Sequence, residues 1–297
     1  MKHISDSNIV GLEISPVQCV EWVTEAFKMK HNCQLPAKVS VHPQGNDFIT
    51  TMPCLLPTEY NTFGVKVVSR VVGREPALKS DLLLFDSLSG DIKAMVETNW
   101  ITSMRTGAVA ALAIKTFQNS NAKIYSFLGL GNTAKATMKC LHAILSNEKI
   151  TVRLLKYKDQ AERFAAEFAD LSNVTFEIVE TMERLVDGAD VVISCITDAN
   201  GVLLEDTTKF KPGVLVVPVH TRGFQNCDLV FDKVFADDTA HVQGFKYFSQ
   251  FKQFGEIGEV LLGEIKGRES DEERILSYNI GLGLHDVYFS QKIYDML

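Results

Sequence analysis

Six consecutive residues, Gly129-Leu130-Gly131-Asn132-Thr133-Ala134, could hold a diphosphate without spending a charged side chain. Gly129 permits a tight turn, Gly131 lets the backbone approach pyrophosphate, and Ala134 allows a helix to pack closely on the preceding strand. Asn132, Thr133 and Ala134 would open that helix, where unbonded N–H groups and the positive end of the dipole face an anion. Alone, a G-x-G-x-x-A run is also compatible with a glycine turn that binds nothing. The apolar run at 123–128 and the helical spacing of Met138, Leu141 and Leu145 provide the strand and helix that the phosphate reading needs.

The next strand, at 151–155, decides which nucleotide such a turn prefers, because an acid at its end bonds the ribose 2′-hydroxyl of NAD and repels a 2′-phosphate. Here Leu155 is followed by Lys156-Tyr157-Lys158, with no acid before Asp159. Lys156 and Lys158 suit a phosphate dianion, so NADP(H) is preferred and NAD(H) remains possible; otherwise the two lysines solvate a surface turn. Cys195 and Thr197 follow an apolar strand at 191–195, where such folds pass close to the cofactor.

These groups need elements to carry them. From residue 119 onward strands and helices alternate: strands at 123–128, 151–155, 175–179, 191–195, 213–219 and 233–236, and helices at 133–146, 159–169 and 182–186. That alternation predicts a parallel sheet covered on both faces. The earlier part differs, with a helix at 16–30, short strands at 38–41, 47–52, 63–72, 81–86 and 92–97, and a helix at 99–117 with Thr102 and Ser103 available as caps. The reading is α/β: a Rossmann dinucleotide-binding domain over 119–283, plus a smaller α+β domain over 1–118. Helices near 255–262 and 283–296 follow, and the last, at 284–297, returns to complete the smaller domain.

At 297 residues the chain exceeds what one core usually organises, which agrees with two domains. Its net charge of −7 and scattered lysines exclude a basic stripe, so neither nucleic acid nor anionic lipid is an expected partner. Cys19, Cys33, Cys54, Cys140, Cys195 and Cys227 make no C-x-x-C pair, so buried free thiols are expected and no metal site. The opening residues turn polar at once, and no apolar run approaches the roughly 20 residues of a membrane helix, so a cytoplasmic location is expected.

Four stretches in this order and spacing carry a resemblance: Gly64-Val65-Lys66-Val67-Val68, Thr102-Ser103-Met104-Arg105-Thr106-Gly107-Ala108, the glycine turn, and Gly255-Glu256-Ile257-Gly258-Glu259-Val260. Over nearly its whole length the chain resembles the ornithine cyclodeaminase and mu-crystallin family. The resemblance implies that the smaller domain binds substrate and forms a homodimer. It also implies a small amino- or imino-acid substrate whose carboxylate is gripped by cations while nicotinamide exchanges hydride at the α-carbon. Lys66 and Arg105 match the family's cations, and Lys38 falls where the family often has arginine. The chemistry agrees, since a guanidinium takes a carboxylate bidentately and further cations lower the cost of burying it. Arg105 on its own would equally serve an ordinary ion pair.

One position departs from the family. Cyclodeaminases place a catalytic aspartate shortly after the strand at 214–219, and here that position holds Arg222, which cannot accept a proton. Three groups are candidates to compensate. His220 could transfer a proton near neutral pH or simply pack at the sheet edge; Arg222 could make a further substrate contact; Asp228 is the nearest carboxylate. Gly281-Leu282-Gly283-Leu284-His285-Asp286 resembles a family segment near the nicotinamide, although His285 and Asp286 equally suit a helix start. The expected function is hydride transfer at the α-carbon of an amino or imino acid, as ketimine reductase, amino-acid dehydrogenase or cyclodeaminase. The alternative is a non-catalytic binder of NADPH and a small ligand.

Overall fold

A computed structural model describes residues 1–196, 201–220 and 224–297. Its elements run β1 (Lys2–Ile4), α1 (Asp6–Val10), α2 (Pro16–Met29), β2 (Val39–Val41), β3 (Phe48–Leu55), β4 (Thr62–Arg70), β5 (Leu78–Asp86), β6 (Ile92–Glu97) and α3 (Asn99–Phe117). There follow β7 (Ile124–Leu128), α4 (Asn132–Ile144), β8 (Ile150–Leu155), α5 (Gln160–Glu167), β9 (Val174–Val179), α6 (Met182–Val186), β10 (Val191–Ser194) and β11 (Leu215–Pro218). The last elements are β12 (Lys233–Ala236), α7 (Thr239–Val242), β13 (Phe254–Glu256), α8 (Ile257–Leu262), β14 (Ile275–Tyr278) and α9 (Gly283–Met296).

The chain divides into one unit of Met1–Arg105 with Gly281–Leu297 and a second of Thr106–Ile280. The sequence reading set these boundaries at 118/119 and 283/284, later than the packing does. Most of α3 belongs with the second unit because Gly107 lets it lie on α4, where an added Cβ would come within 2.5 Å of the Ala136 carbonyl carbon and the Thr137 nitrogen.

In the first unit a six-stranded sheet has the order β1-β6-β5-β4-β3-β2, antiparallel apart from the parallel β1–β6 pair. Alternation along β4 turns Thr62, Gly64 and Lys66 into the core and leaves Phe63, Val65 and Val67 on the other face. Helix α9 covers the core face closely: a Cβ at Gly64 would meet Val287 at 2.7 Å, and one at Gly283 would meet the Met52 carbonyl at 3.0 Å. Thr102 and Ser103 lie within α3 rather than capping it. Its start is held by Asp6, whose carboxylate accepts from the Trp100 amide at 3.1 Å and the Asn99 side chain at 2.8 Å.

The second unit holds an eight-stranded, all-parallel sheet of order β13-β12-β14-β11-β10-β7-β8-β9. Its strands β10, β11, β12 and β14 are buried along their whole length, as parallel strands covered on both faces must be. Strand β14, only four residues long and without a period to betray it, was not expected from the sequence, yet it inserts between β11 and β12. The order in which strands are added reverses between β7 and β10, and the loops leaving those two parallel strands share the carboxyl edge where open α/β sheets bind ligands. Among the described residues no helix is long and apolar enough to cross a membrane, and no group of three or more His, Cys, Asp or Glu is placed to hold a metal ion.

Candidate functional site

In the second unit the chain leaves β7 into a turn with Gly129 at φ +77°, in the left-handed region that favours glycine. A Cβ there would lie 2.7 Å from the backbone of Cys195 and Ile196, so the absence of a side chain lets the β7 and β10 loops touch. Gly131, the N-cap of α4, faces the opposite situation: an added Cβ would meet no atom within 4 Å. No side chain caps α4, and its first intrahelical bond runs from the Lys135 amide to the Gly131 carbonyl at 3.0 Å. The amides of Asn132, Thr133 and Ala134 therefore point past an open backbone step with no intrahelical acceptor, and these residues fit a diphosphate.

Around this turn, Cys195 is a neutral thiol: burial pushes it up to about 12, and Thr137 on α4 hydrogen-bonds to it. Ser194, the last residue of β10, is fully buried and hydrogen-bonded to Nε2 of His220, which leaves the carboxyl end of β11. Strand register enforces that meeting, because Ser194 pairs with Pro218 and its carbonyl accepts from the Val219 amide at 3.0 Å. Lys156 and Lys158 stand just beyond β8; Lys156 lies 3.7 Å from Glu180, and Lys158 sits over the Tyr157 ring. Asp228 goes into the interior, where its carboxylate accepts from the Tyr278 hydroxyl at 2.5 Å and burial pushes it up to about 6. Thr197 and Arg222 lie outside the described residues.

The first unit brings its charges together. Lys66 on β4 is 1 % exposed, Arg105 on α3 is 5 % exposed and Asp286 on α9 is wholly buried. A single oxygen, Oδ1 of Asp286, accepts from Lys66 Nζ at 2.8 Å and from Arg105 Nε at 3.1 Å. Burial pushes Lys66 down to about 8; Asp286 opposes that fall, while Arg105 and the exposed Lys38 add to it. Burial alone would raise the Asp286 carboxyl, but Arg105 and Lys66 hold it below the usual carboxylate range. Such a cluster of two cations on one carboxylate carries surplus positive charge in a medium that tolerates it poorly, and is chemically suited to receive an anion.

The sequence reading placed Lys66 and Arg105 among the site residues and left Asp286 open between a segment near the nicotinamide and an ordinary helix start. It missed Ser194 because nothing distinguishes one serine ending an apolar strand; only the β10–β11 register brings it to His220. The signal for Asp286 was a carboxylate set among the apolar residues of the C-terminal helix, a position where an acid needs a partner.

Among relatives, the nodulation efficiency protein NfeD of Rhizobium meliloti is 26% identical over 273 residues, covering 88% of this chain and 83% of that protein. The Delta(1)-pyrroline-2-carboxylate reductase of Bacillus cereus is 26% identical over 250 residues, covering 78% of this chain and 76% of the reductase. Among solved structures, the Delta(1)-pyrroline-2-carboxylate reductase of Thermococcus litoralis, in complex with NADH and L-proline, superposes with a TM-score of 0.86. That likeness covers 99% of this chain and 97% of the other at 23% identity, and it establishes the fold. The sequence profile of the ornithine cyclodeaminase/mu-crystallin family matches residues 2–297, and the chain belongs to that family.

Proposed function

We propose that the chain is an NAD(P)H-dependent reductase of small imino acids, acting by hydride transfer at the α-carbon. The observation that carries this reading is the buried Lys66–Asp286–Arg105 cluster, whose surplus charge is suited to a substrate carboxylate. Arg105 and Lys66 grip that carboxylate, with Lys38 contributing from the surface. The Gly129 to Ala134 turn binds the diphosphate through main-chain amides, and Cys195 and Thr197 contact the nucleotide near its ribose or nicotinamide. The nicotinamide, when bound, supplies the hydride. His220, its ring oriented by Ser194, carries the proton that the imine nitrogen needs, because imidazole exchanges protons near neutral pH. Arg222 makes a further substrate contact.

Two finer points belong to the same reading. Lys156 and Lys158 favour NADP(H) over NAD(H), with Glu180 competing for Lys156. The chain works as a homodimer, a proposal supported by the outer face of the first unit's sheet, where Val39, Val41, Ile49 and Val67 are exposed beside half-buried Val65 and Leu83. Ornithine cyclisation is disfavoured, since Arg222 stands where that chemistry needs a carboxylate and Asp228 is engaged with Tyr278.

The test is NADPH oxidation with Delta(1)-pyrroline-2-carboxylate and other cyclic ketimines, followed by absorbance at neutral pH. Turnover above background is expected, with NADPH bound more tightly than NADH. Tight nucleotide binding with no turnover on any ketimine would replace the enzyme by the binder, and formation of proline and ammonia from L-ornithine would restore the cyclodeaminase.

A further inference from the structure

We infer that Asp286 is a positioning residue: its Oδ1 fixes the Arg105 guanidinium through Nε and holds the Lys66 ammonium beside it, so that two oriented cations meet a substrate carboxylate. The inference rests on the reading that the first unit takes a carboxylate, and it adds what controls that affinity.

The geometry divides the guanidinium in two. Nε is spent on Asp286 at 3.1 Å, while the terminal nitrogens lie against Gly281, where an added Cβ would come within 2.4 Å of Nη1 and 3.3 Å of Nη2. Glycine at 281, with φ +98°, leaves room for that edge. The second Asp286 oxygen has no hydrogen-bond partner among the described residues, so the carboxylate is committed through Oδ1 alone. The charges facing Lys66 are Asp286 on α9, Arg105 on α3 and Lys38 before β2; His285 on α9 and the Cys54 thiol on β3 face Asp286 in turn.

With Lys66 protonated, the buried trio of Lys66, Arg105 and Asp286 has one net positive charge; with Lys66 neutral it has none. Anion affinity is therefore present below the Lys66 pKa of about 8 and lost as pH rises through it. Asp286 is the group that opposes burial at Lys66, so removing it leaves only influences that lower the pKa.

The experiment uses the full chain and two readouts. The first is the pH titration of Lys66, followed by NMR of the lysine ε-carbon and assigned by its loss in Lys66→Arg. The second is calorimetric affinity for pyrrole-2-carboxylate, in the presence of NADPH, across the same pH range. In Asp286→Asn the Lys66 titration is expected to fall by about one pH unit or more, and the break in probe affinity to move down in pH by the same amount. Lys66→Arg, permanently charged, is expected to remove the pH break, and it serves as the test if Asp286→Asn does not fold. An unmoved Lys66 titration, an equal loss of affinity at every pH, or a break that persists in Lys66→Arg overturns the inference. Coupling of Lys66 to Asp286 without carboxylate binding at any pH supports the positioning role and overturns instead the carboxylate reading.

Discussion

Asp228 and Asp286 are both carboxylates sealed from solvent, at 1 % and 0 % exposure, yet their surroundings drive them in opposite directions. Asp286 has two cations on one oxygen and stays ionised. Asp228 has one neutral donor, Tyr278, and burial lifts it to about 6 from 3.8. A carboxyl whose folded pKa is raised binds more protons folded than unfolded, so the contribution of Asp228 to stability is fully present below about pH 4 and is lost as pH rises through about 6. Asp228→Asn keeps an acceptor for Tyr278 and removes this titration. It is expected to flatten that fall and to stabilise the protein by about 1 to 3 kcal/mol at pH 7.5, measured by denaturant unfolding at several pH values. Loss of turnover in a well-folded Asp228→Asn protein would instead give Asp228 the catalytic role. Arg105→Ala is expected to lower kcat/KM by about a hundredfold or more while the Kd for NADPH stays within about twofold. Equal loss of both would make Arg105 structural. Lys66 and Arg105 were legible because their types and flanking residues match a pattern; Asp286 was not, because it lies 220 positions from Lys66 along the chain.

Among elements, the glycine turn separates two effects that sequence alone cannot distinguish. Gly131→Val meets open space, so the fold should survive with a Tm within a few degrees of the parent, while the branched side chain occupies the diphosphate path and nucleotide binding is lost in calorimetry. Gly129→Ala combines a positive φ with a 2.7 Å approach to the Cys195 backbone, and is expected to destabilise by about 2 kcal/mol or more in thermal unfolding. A Gly131→Val protein that binds NADPH normally would remove the turn from the site. Most elements of the second unit were legible, since buried strands read as unbroken apolar runs and the helices between them are periodic. β14 escaped because its four residues, Ile275–Tyr278, are too few to carry a period, and only hydrogen bonds to β11 and β12 define them as a strand.

For the whole molecule, the outer sheet face of the first unit predicts its assembly. Val41→Lys combined with Val67→Lys places charge on that face without touching Lys66 or Asp286, and sedimentation is expected to shift from dimer to monomer. A parent protein that sediments as a monomer would dispose of the homodimer. By itself the sequence determined the α/β class, the glycine turn, the pair of cations and the family, because each is written in local period or in spacing that a short window contains. Tertiary structure alone decided that Asp286 reaches Lys66 and Arg105, that Ser194 meets His220, and that α3 passes from one unit to the other beside Gly107. Those outcomes depend on strand register and helix packing between segments far apart in the chain, where the free energy of a contact comes from burial and charge in three dimensions.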